Sequence, residues 1–450
     1  MRVVAALALV MTGFLYAPAW AASDGESLTA DVTRQGSHLV VELHLNADAP
    51  EWVFTHSPGM LEEGARWRAR DWTVLTPGVQ LATVEGRDLL RASGGGALPR
   101  AIQLRIQPRP ARVEASYNPV IDFGLGSFAL YSGQFGVQPS ESEMPPSPMR
   151  VSWRDRSGPV LAEGERHDVA ITDGEGAYIL FGQAGLVEHQ ALATVLHSDL
   201  PGWVSAMILN EAPALIDHYV ARLGGGPTLR PTVMAGWNGP TTGMTSMGGS
   251  VLPGLIAVSF EGDGLAEPSD DARFMIRAFL AHESAHFWLG QTVRYDAVDD
   301  LWITEGGADL TSARAARAVD PDFPGDALIQ TLVDDCRTLA QQGPVASAGQ
   351  RGRPRAYYAC GATFALAAEG TRARRDGGDW LDVVSDLIAA NRDDGVITRT
   401  EWLDHFESLA GARPRAIVET LLDQGGPQSS ALIDELFKLT CVDSHPPDEA

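Results

Sequence analysis

Alternating apolar and polar residues dominate the first part of the chain. Ser37–Leu45 reads SHLVVELHL and Ala101–Ile106 reads AIQLRI. Period-two runs of this kind predict strands with one buried face. Arg112–Tyr117 (RVEASY) predicts a further strand. Gly and Pro punctuate the intervals and no helical period appears, so residues 22–165 are expected to form an all-β, sandwich-like domain. The Pro-rich run Gln138–Pro148 (QPSESEMPPSP) reads as a linker or surface loop.

The texture changes near residue 166. Leu186–Leu196 and Trp203–Leu223 carry apolar spacing compatible with helices, whereas Pro231–Trp237 (PTVMAGW) and Leu255–Phe260 (LIAVSF) read as buried strands. The strongest helical signal follows. Ser269 or Asp270 supplies an N-cap after Pro268, the apolar stripe runs through Phe274, Ile276, Phe279 and Leu280 to Leu289, and Gly290 is the expected terminator. Beyond residue 301 the chain predicts helices over 301–317, 324–341, 356–372, 379–392, 398–410, 414–424 and 430–440. Asp394-Gly395, Ile397 and Glu401 faintly echo a calcium-binding loop, but Ala390 and Arg392 stand where oxygen ligands are needed. That stretch predicts a helix–turn–helix connection. The fold expected is multidomain: an N-terminal all-β domain (22–165), an α+β domain (166–372) and a C-terminal α-helical region (373–450).

Length agrees, since 450 residues exceed what one hydrophobic core organises. Arg2, the apolar run Val3–Tyr16 and the small residues of Ala19-Trp20-Ala21 match a secretory signal peptide over residues 1–21. The expectation is an exported chain, periplasmic or secreted, soluble and without stable membrane insertion after cleavage. With 58 acidic against 34 basic residues the formal charge is −24, which disfavours nucleic acid and anionic membranes as partners. Of the three cysteines, Cys336, Cys360 and Cys441, one pair could bridge in an oxidising compartment. Their spacing does not say which.

The candidate chemistry lies in Ala281–Trp288, AHESAHFW. His282 and His286 are four apart on the predicted helix, so both imidazoles leave one face and can meet one zinc ion. Glu283 lies beside the first, where its carboxylate can reach a water at the metal. This five-residue pattern arises by chance often enough to require a third ligand. Trp302–Leu310 reads WITEGGADL, and Glu305 follows His286 after 18 intervening residues, enough for a loop and an adjacent helix. Glu305 would complete a His₂Glu set for one Zn²⁺ per chain and leave a position open for chemistry. Asp309, four further on the same face, could accept the free N–H of a ligand histidine.

H-E-x-x-H, 18 residues, then E-G-x-x-D resembles the gluzincin metallopeptidases, most closely the aminopeptidase N-like and glycyl aminopeptidase-like groups. The similarity runs from about 230 to 370. It implies a thermolysin-like catalytic domain between the β-domain and the helices, and a peptide or protein substrate. Ala356–Ala362 (AYYACGA) resembles the family's Y-x-K-G-A helix start. The resemblance implies that Tyr358 donates a hydrogen bond to the tetrahedral oxyanion, with Cys360 in place of the usual lysine and Tyr357 as the less suited neighbour.

Upstream, Gly248–Ser259 (GGSVLPGLIAVS) resembles the family's substrate-binding strand. The resemblance assigns Gly248, Gly249, Ser250 and Val251 to substrate binding by strand addition. Val251 stands where aminopeptidases carry the glutamate that holds the substrate's amine, and Leu252 stands in for an asparagine. Valine offers an ammonium no counter-charge. Aminopeptidase and endopeptidase action therefore both remain open. So do hydrolysis of a non-peptide substrate and a non-catalytic peptide-binding role.

Overall fold

The computed structural model describes residues 28–61, 64–113, 117–142, 149–174, 176–225 and 230–440. The signal-peptide segment 1–21, Cys441 and residues 143–148 of the Pro-rich run lie outside them. The chain divides into two compact units, one of residues 1–202 and 229–266 and the other of residues 203–228 and 267–450.

The first unit is built from sheets. Its strands in chain order are β1 (Leu28–Gln35), β2 (His38–His44), β3 (Glu51–Phe54), β4 (Trp72–Val74), β5 (Val79–Val84), β6 (Arg87–Ala92), β7 (Ala101–Ile106), β8 (Val120–Gly124), β9 (Ser127–Tyr131), β10 (Val137–Pro139), β11 (Met149–Asp155), β12 (Val160–Ala162), β13 (Glu165–His167), β14 (Ala170–Asp173) and β15 (Tyr178–Phe181). One short helix, α1 (Trp67–Asp71), precedes β4. A six-stranded sheet runs β14-β11-β1-β2-β7-β4, a four-stranded sheet β10-β3-β6-β5, and a five-stranded sheet β13-β12-β15-β9-β8. The alternation read in β2 is physical: Leu39, Val41 and Leu43 are buried while the residues between them are only half-buried. Their partners in the core include Leu28, Ala30 and Val32 of β1 and Ile102, Leu104 and Ile106 of β7.

Three sequence expectations change here. Leu186–Leu196 is not helical but forms β16 (Leu186–Glu188) and β17 (Ala193–Leu196). Pairing with the parallel strand β18 (Thr232–Trp237) buries β17 and overrides its helix-compatible composition. Of Arg112–Tyr117, Val113 makes only an isolated bridge to Met60 and residues 114–116 lie outside the description. Gln138, read as part of a linker or surface loop, belongs to β10 and pairs with β3. The last sheet of this unit runs β16-β17-β18-β20-β19, with β19 (Ser246–Leu252) at its edge and antiparallel to β20 (Leu255–Glu261).

The second unit is mostly helical. Its helices are α2 (Gly202–Leu223), α3 (Asp270–Ala285), α4 (Trp302–Val319), α5 (Gly325–Ala340), α6 (Arg355–Asp376), α7 (Trp380–Ala390), α8 (Arg399–Ala410), α9 (Ala412–Asp423) and α10 (Ser429–Thr440). Gly202 itself belongs to the first unit. Ser269 caps α3 by accepting from Ala272 N–H, and Asp270 and Asp271 complement the dipole of its first turn. Glu401 completes a capping box with Thr398 at the start of α8. Trp302 of α4 meets Phe364 of α6 and Trp402 of α8 edge-on, with centroids 5.6 and 4.8 Å away. The boundaries expected at 165 and 372 fall inside β13 and α6, because texture records element type whereas the units follow packing. Among the described residues no helix is long and apolar enough to cross a membrane.

Candidate metal centre

The H-E-x-x-H stretch lies at the end of α3, and the way that helix stops shapes the site. Regular helix ends at Ala285, not Leu289, and His286 occupies the C-cap position. From there the chain tightens: Phe287 N–H bonds Ser284 O at 3.3 Å and Trp288 N–H bonds Ala285 O at 3.0 Å. Gly290 follows at φ 144°, a conformation that L side chains rarely adopt. A Cβ there would come within 3.1 Å of His286 O. Val293 N–H bonds Trp288 O rather than Leu289 O, so the Leu289 carbonyl is released from helical bonding. It accepts a hydrogen bond from His286 Nδ1 at 2.9 Å.

α2 braces both ends of this stretch. The Tyr219 hydroxyl donates to Ala281 O at 2.8 Å, and Trp288 Nε1 donates to Gly224 O at 3.0 Å. α4 packs against α3. Its crossing with α6 is close because two glycines meet. A Cβ on Gly361 would lie 2.1 Å from Trp302 O, and one on Gly306 would lie 2.3 Å from Gly361 carbon. Glu305 precedes one of these glycines and Tyr358 lies three residues before the other. Close backbone approach thus brings the carboxylate and the phenol to the same place.

The structure brings His282, His286 and Glu305 together. Their ligand atoms lie within 4.8 Å of one another, and no other such group occurs among the described residues. The two Nε2 atoms are 3.0 Å apart, and Glu305 Oε2 is 3.4 Å from each. The rings stand edge to face, 86° between planes. His282 Nδ1 donates to Asp309 Oδ1 at 2.8 Å. A carboxylate and a carbonyl can only accept, so both Nδ1 atoms carry protons, and each ring when neutral is left with its lone pair at Nε2. Two neutral rings with Nε2 atoms 3.0 Å apart would turn their lone pairs on each other unless a cation lay between them. A tetrahedral zinc with bonds of about 2.1 Å holds its ligand atoms about 3.4 Å apart, so these three donors fit it.

The electrostatics make the same demand. Burial alone would lower His282, but hydrogen bonds to Asp309 and Glu305 lift it well above the usual imidazole range. Burial would lower His286 too, and Glu305 raises it. For Glu305 burial favours the neutral acid, yet the two imidazoles hold its carboxyl well below the usual range. The cluster therefore favours positive charge at the imidazole nitrogens, a demand that a divalent cation also meets. Burial raises Glu283, partly offset by His282 and His286. Tyr358 is pushed well above its usual range, first by burial and then by Glu305, Asp309 and Glu283, so its hydroxyl keeps its proton.

The two tyrosines have different surroundings. Tyr358 is buried with its ring 5.9 Å from that of His282, and the Glu305 carboxylate contributes to raising its hydroxyl. Tyr357 turns away, accepting from Gly349 N–H and donating to Ala346 O. Asp309 Oδ2, buried without a hydrogen bond, lies 3.8 Å from Arg355 Nη1. Gly248, Gly249, Ser250 and Val251 all lie on edge strand β19 in the first unit, which pairs along one side with β20. Val251 and Leu252 are buried, and the three residues before them are half-buried.

Several contributors carried no sequence signal. The Leu289 carbonyl is a main-chain group, and Arg355 stands outside every motif. Cys336 and Cys360 are joined in a disulfide between α5 and α6, which their spacing did not reveal.

No family model matches the chain, and no curated protein matches it in sequence. Its fold, however, is that of known structures. It aligns with an aminopeptidase N family protein from Idiomarina loihiensis at a TM-score of 0.63 and 11% identity, over 91% of this chain and 78% of that one. It aligns with native yeast LTA4 hydrolase at a TM-score of 0.53 and 13% identity, over 92% and 71% of the two chains. At these identities the likeness is one of fold.

Proposed function

We propose that the chain is an exported zinc-dependent peptidase with a thermolysin-like catalytic domain, in which His282, His286 and Glu305 hold one Zn²⁺. The observation that carries this reading is the convergence of two imidazole Nε2 atoms and a carboxylate oxygen, with both outer imidazole nitrogens tied back to acceptors. The folds it shares, with an aminopeptidase N family protein and with LTA4 hydrolase, support it. Export draws support from the Cys336–Cys360 disulfide, a bond of oxidising compartments, and from the expected signal at residues 1–21.

Zinc in this site supplies Lewis acidity toward water and toward a scissile carbonyl. The chain's own groups do the rest. Glu283 takes a proton from the attacking water at its carboxylate and passes it to the leaving amine; its burial keeps that carboxylate basic. The Tyr358 hydroxyl donates to the developing oxyanion. Asp309 and the Leu289 carbonyl keep both imidazoles turned with Nε2 inward. Edge strand β19 offers main-chain groups to an extended peptide.

Whether the enzyme trims N-termini or cuts internally turns on Val251. A buried valine cannot anchor an ammonium. The same observation favours a second reading, in which the centre hydrolyses a non-peptide substrate such as an ester or epoxide. Cleavage of a mixed peptide library with free and blocked N-termini separates these readings. The peptidase reading expects cut peptides, and no cleavage by zinc-loaded protein would reject it. Glu283→Gln should retain one zinc per chain while kcat falls about 10²–10⁴-fold. Undiminished turnover in that variant would remove Glu283 from its role as base.

A further inference from the structure

The helix that presents Tyr358 starts without a side-chain cap. α6 begins after Pro354. Ala356 N–H bonds Arg353 O and Tyr357 N–H bonds Pro354 O, so main-chain bonds alone close that turn, of which Tyr358 is the fourth residue. Gly361, required by the close crossing with α4, lowers helix propensity one turn later. Yet the Tyr358 hydroxyl must be held at the metal cluster to act on an oxyanion. Two links to α5 meet this need. Arg355 Nε donates to Asp335 Oδ2 at 3.2 Å. The next residue of α5, Cys336, is bonded to Cys360, two residues beyond Tyr358, and both cysteines are fully buried. A partly exposed ion pair adds little by itself. The covalent bond fixes α6 along α5 at the height of Tyr358.

We infer that Cys336 and Cys360 are positioning residues for the reaction: their disulfide holds the first turn of α6 so that the Tyr358 hydroxyl is aimed at the reacting carbonyl. The inference rests on the proposed role of Tyr358. It assigns the bond a catalytic consequence beyond its effect on stability.

The test is a cycle of three variants, assayed on a peptide that the native chain cleaves: Cys336→Ala with Cys360→Ala, Tyr358→Phe, and all three changes together. Zinc content is measured on each preparation and turnover is expressed per bound zinc. Tyr358→Phe should lower kcat about 10²-fold. The cysteine pair should lower kcat roughly ten- to hundredfold with little change in KM, one zinc retained. In the Tyr358→Phe background, loss of the bond should cost no further turnover. A structural role would instead reduce zinc content, or act equally in both backgrounds. Native kcat in the cysteine variant, beside an impaired Tyr358→Phe, overturns this inference alone. Native kcat in Tyr358→Phe overturns the Tyr358 assignment and the inference with it. If the cysteine variant does not fold, the native chain is treated with a water-soluble phosphine. The phosphine is oxidised to its oxide, water supplies the oxygen, and each sulfur takes a proton. Mass spectrometry counts opened bonds, and full turnover with the bond open again overturns the proposal.

Discussion

Where two imidazole protons sit decides what the centre can hold. Asp309 fixes one and the Leu289 carbonyl fixes the other, and the two differ in how they respond to substitution. Asp309→Asn keeps the shape but removes the negative charge behind His282. We expect zinc affinity to fall about 10–100-fold, read by competition with a chromogenic chelator. Unchanged affinity would show that Asp309 does not orient the ring. The acidic partner was legible in the sequence, because its spacing from Glu305 puts both on one helix face. The carbonyl was not, because every residue carries one and only the local path of the backbone selects which is free. That path depends on Gly290, which the sequence suggested as a helix terminator; the structure gives it a φ of 144° and a place against His286 instead.

At the scale of elements, the crossing of α4 and α6 sets how near Glu305 and Tyr358 can come. Gly361→Ala would place a methyl 2.1 Å from Trp302 O, so the helices must separate. We expect a loss of about 1–3 kcal/mol in thermal or denaturant unfolding. We also expect kcat to drop while a surface substitution such as Thr331→Ala leaves both unchanged. A stable, fully active Gly361→Ala would mean that the helices have room to spare. The helices after residue 301 were legible from their helix-compatible apolar spacing, helped at α7 and α8 by side-chain caps. The run Leu186–Leu196 was misread for the opposite reason. Its residues suit a helix locally, whereas β17 pairs with β16 on one side and, on the other, with strand β18, reached through α2. Such distant pairing leaves no trace in a short window.

At the scale of the molecule, the three residues that could hold a metal, and the groups that orient them, fall in the second unit. Metal bound there should stabilise the fold by mass action, by about 4 kcal/mol when free zinc is a thousand times its Kd. Exhaustive dialysis against a chelator should therefore lower Tm, and zinc should restore it. A Tm indifferent to both treatments would separate the metal from this site. The broad order of sheets before helices was legible in the texture of the sequence. The true partition was not, since it passes between the units three times, after residues 202, 228 and 266. That threading bears on how the chain is made. Neither unit emerges from the ribosome or a translocation pore as one uninterrupted stretch: the helix bracing both flanks of the H-E-x-x-H segment appears before the sheet ahead of it is complete. Vectorial folding cannot finish one unit and then begin the other. A fragment starting at residue 267 would lack Tyr219 and Gly224 and should be recovered as an aggregating, metal-poor species.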